Sequence, residues 1–203
     1  MIAATPLSDS IVKLRRLQEA IGSIRKTQLL REFQDDVNFR NFLYYALNPM
    51  LTYKISEQTL RSPTRYDSAI TLTMTDIFSV CELLSKRKAL DAGTVYQVCA
   101  FVQGSPPDEA DVYITLLSKT LRLGVTAKTV NKVIPNLIPE WEVQQAYPID
   151  KYPLKEGTEF WLTQKLNGVR ATYYKGKLYA RSGVPYEGLD HILDALCFDE
   201  EDS

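Results

Sequence analysis

Phe160-Trp161-Leu162-Thr163-Gln164-Lys165-Leu166-Asn167-Gly168-Val169-Arg170 reads as a β-strand running into a tight turn. Apolar and polar side chains share the run up to Leu166. Asn-Gly between two such runs is the strongest short hairpin signal a sequence carries. Val169 to Tyr174 is then the return strand. Lys175-Gly176-Lys177 makes a further turn, and Leu178-Tyr179-Ala180-Arg181 a further strand. Leu189 to Leu196 has the spacing of a short terminal helix.

Working outward toward the N-terminus, Pro139, Pro148 and Pro153 punctuate a connecting stretch, and the sequence before it has a different period. Ile11, Leu14, Leu17, Ile21 and Ile24 recur at helical spacing behind Ser8-Asp9-Ser10, which can cap a helix start. Phe39, Phe42, Leu43, Ala46 and Leu47 form a second stripe, stopped by Asn48-Pro49. Thr75-Asp76 opens a helix through Ile77, Phe78, Val80, Cys81 and Leu84 that runs down at Lys86-Arg87-Lys88. A further helix covers Thr94 to Val102. The next begins at Pro106-Pro107, carries Asp108, Glu109 and Asp111 early, and continues through Ile114, Leu117 and Leu121 to Gly124. Thr126 caps a last short helix, Ala127 to Val133. The fold class is therefore α+β: an all-α region over residues 1–144, then a β-rich region over 145–203.

Composition narrows the function classes. The 203 residues carry 24 Lys+Arg against 25 Asp+Glu, a net charge of −1, with 45% apolar and 24% charged residues. That is ordinary for a globular protein. No apolar run approaches the roughly 18–20 residues of a membrane span, so no membrane partner is expected. Three widely spaced cysteines (Cys81, Cys99, Cys197) suit a reducing cytoplasm. One histidine, His191, and no Cys-x-x-Cys pair give no metal ligand set. The neutral total conceals an asymmetry. Residues 194–203 hold Asp194, Asp199, Glu200, Glu201 and Asp202 without a base, so the body of the chain is basic. Lys119, Arg122, Lys128 and Lys132 fall between Asp111 and Glu140 with no acid among them.

Lys165 carries the candidate chemistry. It sits at a strand end beside a turn that needs Gly168, with Arg170 five residues on. An amine nucleophile must lose its proton, which a nearby cation favours, and arginine suits bidentate recognition of phosphate. The same pattern is equally a plain Asn-Gly hairpin with two surface cations.

Lys165-Leu166-Asn167-Gly168-Val169-Arg170 resembles the nucleotidyltransferase motif of ATP-dependent DNA ligases, Lys-x-Asp-Gly-x-Arg. Ala180-Arg181-Ser182-Gly183 resembles their second motif. Arg122 to Glu140 looks like the end of the helical DNA-binding domain of T-even phage-type ligases, and Leu17 to Ile24 is similar to their first helix. The resemblance implies a helical DNA-binding domain over 1–144 and an incomplete, β-rich, ATP-grasp-like nucleotidyltransferase domain over 145–203. It implies nick sealing in duplex DNA with ATP and Mg2+, through a lysine–AMP intermediate at Lys165. Thr163, Arg170 and Arg181 then contact the nucleotide, and Thr163 shares a strand face with Lys165. Lys119, Arg122, Gly124, Thr126, Lys128 and Lys132 contact DNA. The Gly124–Thr126 junction offers backbone N–H groups to phosphate. The protein is expected to be a monomer in the cytoplasm of a bacterial or phage-infected cell.

Two departures qualify the match. Asn167 stands where the motif has aspartate; the turn accepts either, but a charge beside the nucleophile is lost. The later Asp-Gly-Glu and terminal Lys-x-Lys motifs do not occur between Gly183 and Ser203. The expectation is a ligase fragment that does not complete ligation by itself. The alternative is a non-catalytic DNA-binding module. An RNA ligase or capping-type transferase can share the lysine motif, but the helical region argues against it.

Overall fold

The computed structural model describes residues 6–62, 74–141, 149–153, 155–159, 164 and 167–196. The backbone divides into two compact units, Met1–Pro139 and Glu140–Ser203, a few residues before the expected boundary.

The first unit is helical: α1 (Leu7–Glu19), α2 (Ser23–Phe33), α3 (Val37–Leu47), α4 (Glu57–Arg61), α5 (Ile77–Lys86), α6 (Ala92–Gly104), α7 (Pro107–Leu117) and α8 (Ala127–Asn131). Aspartates start several of them. The Asp36 carboxylate accepts the Phe39 N–H at 3.0 Å, Asp76 those of Phe78 and Ser79 at 2.9 Å, and Asp91 that of Thr94 at 2.8 Å. Each satisfies a donor the helix itself cannot. Helix α7 packs on α1, α3, α4 and α6, so it forms the centre of the unit. Its Val112, Tyr113, Leu116 and Leu117 join Leu14, Leu17, Phe39, Phe42, Leu84 and Val102 in one continuous core. Phe42 is fully buried and meets the Phe78 ring edge-on at 4.9 Å.

The first helix is shorter than its periodicity suggests. Ile11, Leu14 and Leu17 are buried, but the chain turns extended at Ala20, and Gly22 takes φ +85°. Ile21 and Ile24 thus stand in solvent on an elbow. The start is also different: Pro6 is the cap residue, and Ser10 is buried inside the helix, donating its hydroxyl to Asp36 at 2.9 Å. Helix α7 likewise stops at Leu117 rather than at Gly124. The Thr120 and Leu121 N–H groups both turn back to the Thr115 carbonyl, and Lys119 takes φ +58°. Helix α4 was not legible in its polar sequence.

The second unit contains an antiparallel pair, β1 (Thr172–Tyr174) and β2 (Lys177–Tyr179), and the short helix α9 (Asp190–Ala195). Lys175 and Gly176 connect the strands with φ +46° and +74°, the left-handed pair that a two-residue hairpin demands. The expected Asn167-Gly168 turn is not of this kind, because Gly168 does not adopt a positive φ. The strand expected over 160–166 falls almost wholly outside the described residues. The described part of the sheet has two strands. Among the described residues no helix is long and apolar enough to cross a membrane.

Candidate nucleic-acid interface

The segment from Arg122 to Lys132 leaves the end of α7, makes a glycine turn and enters α8. Leu123 and Val130 anchor it in the core at 1% and 0% exposure, while Arg122, Gly124, Thr126, Lys128 and Lys132 face solvent. The Thr126 hydroxyl accepts the Thr129 N–H at 3.3 Å and so starts α8. Lys128 and Lys132 are four residues apart and share one side of the turn. Beyond them, the Asn131 side chain donates to the Ile138 carbonyl at 2.8 Å and accepts the Ile138 N–H at 2.9 Å. That reciprocal pair fixes the return of the chain beneath the helix.

Gly124 is required twice over. Its φ is +65°, a region that side chains resist. A Cβ there would also collide with the Lys26 side chain. Lys26 was missed in the sequence, and its role is specific. Its ammonium donates to the Leu17 carbonyl at 2.9 Å, the Gln18 carbonyl at 3.4 Å and the Leu123 carbonyl at 2.9 Å. It therefore ties the carbonyl end of α1 to the glycine turn. Gln18 adds a bond to the Arg122 carbonyl at 3.3 Å. Nothing in the sequence around Lys26 signals a carbonyl partner 97 residues away.

Lys119 has a different task from the DNA contact expected of it. Its ammonium turns inward and donates to the carbonyls of Tyr45, Ala46 and Asn48 at 3.0, 3.3 and 2.9 Å. It also lies over the Tyr53 ring, 5.3 Å from the centroid. A cation at the carbonyl end of α3 suits the helix dipole, yet burial pulls its pKa down to about 8. Beside it the Cys81 thiol is pushed up to about 12 by burial, which makes it an inert core group.

In the second unit, Arg170 and Arg181 are both exposed. Arg181 lies in the turn after β2, closed by the Gly183 N–H to Ala180 carbonyl bond at 2.9 Å and the Ala180 N–H to Val184 carbonyl bond at 2.8 Å. Gly183 takes φ +84°, and a Cβ there would lie 2.7 Å from Cγ of Trp141. The glycine of this second motif is thus needed for the turn and for the indole packed against it. Thr163 and Lys165 lie outside the described residues. The donors that are described, two exposed guanidinium groups, fit a phosphate or ribose ligand. Among the described residues no group of three or more His, Cys, Asp or Glu comes together as a metal site.

No protein-family model matches the chain. Two curated DNA ligases, from Enterobacteria phage T4 and Enterobacteria phage T6, are each 24% identical over an alignment of 197 residues that covers 92% of this chain. The chain resembles the T-even phage DNA ligases. That coverage necessarily reaches into both units. The chain spans 40% of the length of these ligases. A solved chain named Pmar-Lig_PreS3 shares the fold, with a TM-score of 0.62 at 19% identity, over 91% of this chain and 44% of its own.

Proposed function

We propose that this chain comprises the DNA-gripping unit and the opening part of the nucleotidyltransferase unit of an ATP-dependent DNA ligase. The observation that carries the reading is the likeness to phage DNA ligases over 92% of the chain. The acid-free, solvent-facing turn at Arg122–Lys132 supports it. Arg122, Lys128 and Lys132 neutralise backbone phosphates, and Gly124 lets the backbone approach the duplex. Phosphate contacts position a protein without reading bases, which suits action at any nick. Thr126 acts indirectly, by holding α8 in place.

In the second unit, the Lys165 amine attacks the α-phosphorus of ATP. A P–N bond forms as pyrophosphate leaves. AMP then passes to the 5′-phosphate of the nick, and the 3′-hydroxyl displaces it. Arg170 and Arg181 hold nucleotide oxygens, and Thr163 meets the base. Mg2+ supplies charge neutralisation at the transferring phosphoryl group when bound. The surrounding β-rich, ATP-grasp-like fold belongs to the same proposal.

The test uses the full product of the gene with Mg2+ and α-labelled ATP. A covalent label that survives alkali, is released by acid as a P–N bond requires, and disappears in Lys165→Ala supports the reading; no label on the unaltered protein overturns it. Nicked-duplex binding should weaken with salt by about 0.9 log units per log salt for each phosphate neutralised, so Lys128→Ala with Lys132→Ala should flatten the slope by about 2. Duplex binding that persists in a protein that never takes the label favours a DNA-binding module without catalysis.

A further inference from the structure

Arg170 and Arg181 belong to the same end of the β1–β2 hairpin. The ladder pairs Thr172 with Tyr179, Tyr173 with Leu178 and Tyr174 with Lys177. Arg170 lies two residues before Thr172, and Arg181 two residues after Tyr179. The same register, carried on, would set them opposite one another. The chain instead leaves the ladder at Ala180, whose N–H donates to the Val184 carbonyl at 2.8 Å. Both strands end before either arginine, so their pairing does not fix the distance between the two. Like charges do not hold each other in place either.

Tyr186 supplies the link that the ladder lacks. Its N–H donates to the carbonyl of Leu178, the buried residue of β2, at 2.8 Å, and Pro185 bridges to Tyr179. The segment that follows the Arg181 turn is thereby laid along β2. From there the half-buried Tyr186 ring reaches toward the start of β1, and its hydroxyl donates to the Arg170 carbonyl at 3.3 Å. One side chain thus ties the backbone that carries Arg170 to the backbone that closes the Arg181 turn. Tyrosine suits this task, because a rigid ring on two torsions holds its terminal hydroxyl at a set distance. Trp141 holds the turn itself, with its ring against Gly183 and 4.8 Å from that of Tyr179.

We propose that Tyr186 is a positioning residue that sets the separation of the Arg170 and Arg181 guanidinium groups, and with it their joint fit to the oxygens of one bound nucleotide. Arginine presents its donors in a rigid planar fork, so a shift of either backbone moves those donors off their acceptors. Tyr186 touches no nucleotide in this assignment and acts through the arginines alone. The inference rests on the nucleotide contacts proposed above for Arg170 and Arg181, and it adds what keeps the two in step.

The rate of labelling of the full product of the gene, followed over a range of α-labelled ATP concentrations with Mg2+, tests it. Tyr186→Phe keeps the ring and removes one hydrogen bond. The ATP concentration that gives half the maximal rate should rise about fivefold, while the rate at saturation changes by less than about twofold. Tyr174→Phe, which loses a hydroxyl elsewhere on the hairpin, should behave like the unaltered protein. In an Arg170→Ala background, where one guanidinium is left to be placed, Tyr186→Phe should add no further rise. A half-maximal concentration that Tyr186→Phe leaves unchanged overturns the inference and leaves the ligase reading standing. A rise that recurs undiminished in the Arg170→Ala background would make Tyr186 a residue of the fold alone and overturn the inference. No label on the unaltered protein overturns the inference and the ligase reading together.

Discussion

The two units hold their structure in different ways. In the helical unit, α3, α5 and α6 begin on aspartates, and a continuous apolar core runs from Ile11 to Ile138. Among the described residues of the second unit, Leu178 is the buried aliphatic side chain. There, conformation is carried by left-handed turns at Lys175-Gly176 and Gly183 and by the packing of Trp141 on Tyr179, with ring centroids 4.8 Å apart. One unit is shaped by burial, the other by turn chemistry and aromatic contacts. The same substitution type should therefore have unequal effects in the two.

The largest contrast is expected from truncating the core. Phe42→Ala removes a fully buried ring and its edge contact with Phe78, and should cost about 3–5 kcal/mol. Its helical circular dichroism should melt at a markedly lower temperature. Leu178→Ala should leave that helical transition almost unmoved. Equal effects on the helical signal would break the distinction between the units.

A smaller effect should come from acid. Burial alone would raise the pKa of Asp36, but the Lys13 ammonium, the Phe39 N–H and the Ser10 hydroxyl outweigh it and hold the carboxyl below its usual range. A carboxylate with a depressed folded pKa stabilises the protein above its unfolded value, near 3.9, and loses that contribution as pH falls through the folded value. Urea midpoints of the helical signal should accordingly decline below about pH 4. Asp36→Asn should lower the stability at neutral pH by about 1–3 kcal/mol, read as a lower urea midpoint, and lose part of the acid dependence.

The smallest effect separates two glycines of the second unit. Gly176→Ala meets open space and should cost only the left-handed strain, about 1–2 kcal/mol. Gly183→Ala meets the Trp141 ring as well. Tryptophan emission should shift in the second variant and not in the first. A shift in both, or in neither, would remove the assigned role of Trp141.

Much of the helical unit was legible in its sequence. Asn48-Pro49 ends α3, Asp76 opens α5, Pro107 opens α7 and Thr126 opens α8, as local chemistry requires. The errors share a cause. Ile21 and Ile24 continue the apolar spacing of α1, but periodicity cannot detect a glycine elbow that turns the next two positions outward. Leu121 continues the spacing of α7, but the Thr115 carbonyl captures two N–H groups and stops the helix. In the candidate site, Arg122, Lys128 and Lys132 were found because cations without neighbouring acids are visible in one dimension.

The sequence by itself determined the α-then-β order, the starts of α5, α7 and α8, and the likeness to phage ligases carried by short motifs. These depend on neighbours a few residues apart, whose side chains satisfy nearby backbone groups. Tertiary structure alone decided the fate of the lysines. Lys119 and Lys26 have the same composition signal as Lys128 and Lys132, yet their ammonium groups bind carbonyls that lie 71–74 and 8–97 residues away. Which cations face a ligand and which hold the protein together depends on where unpaired helix carbonyls come to lie, and only the packed chain fixes that.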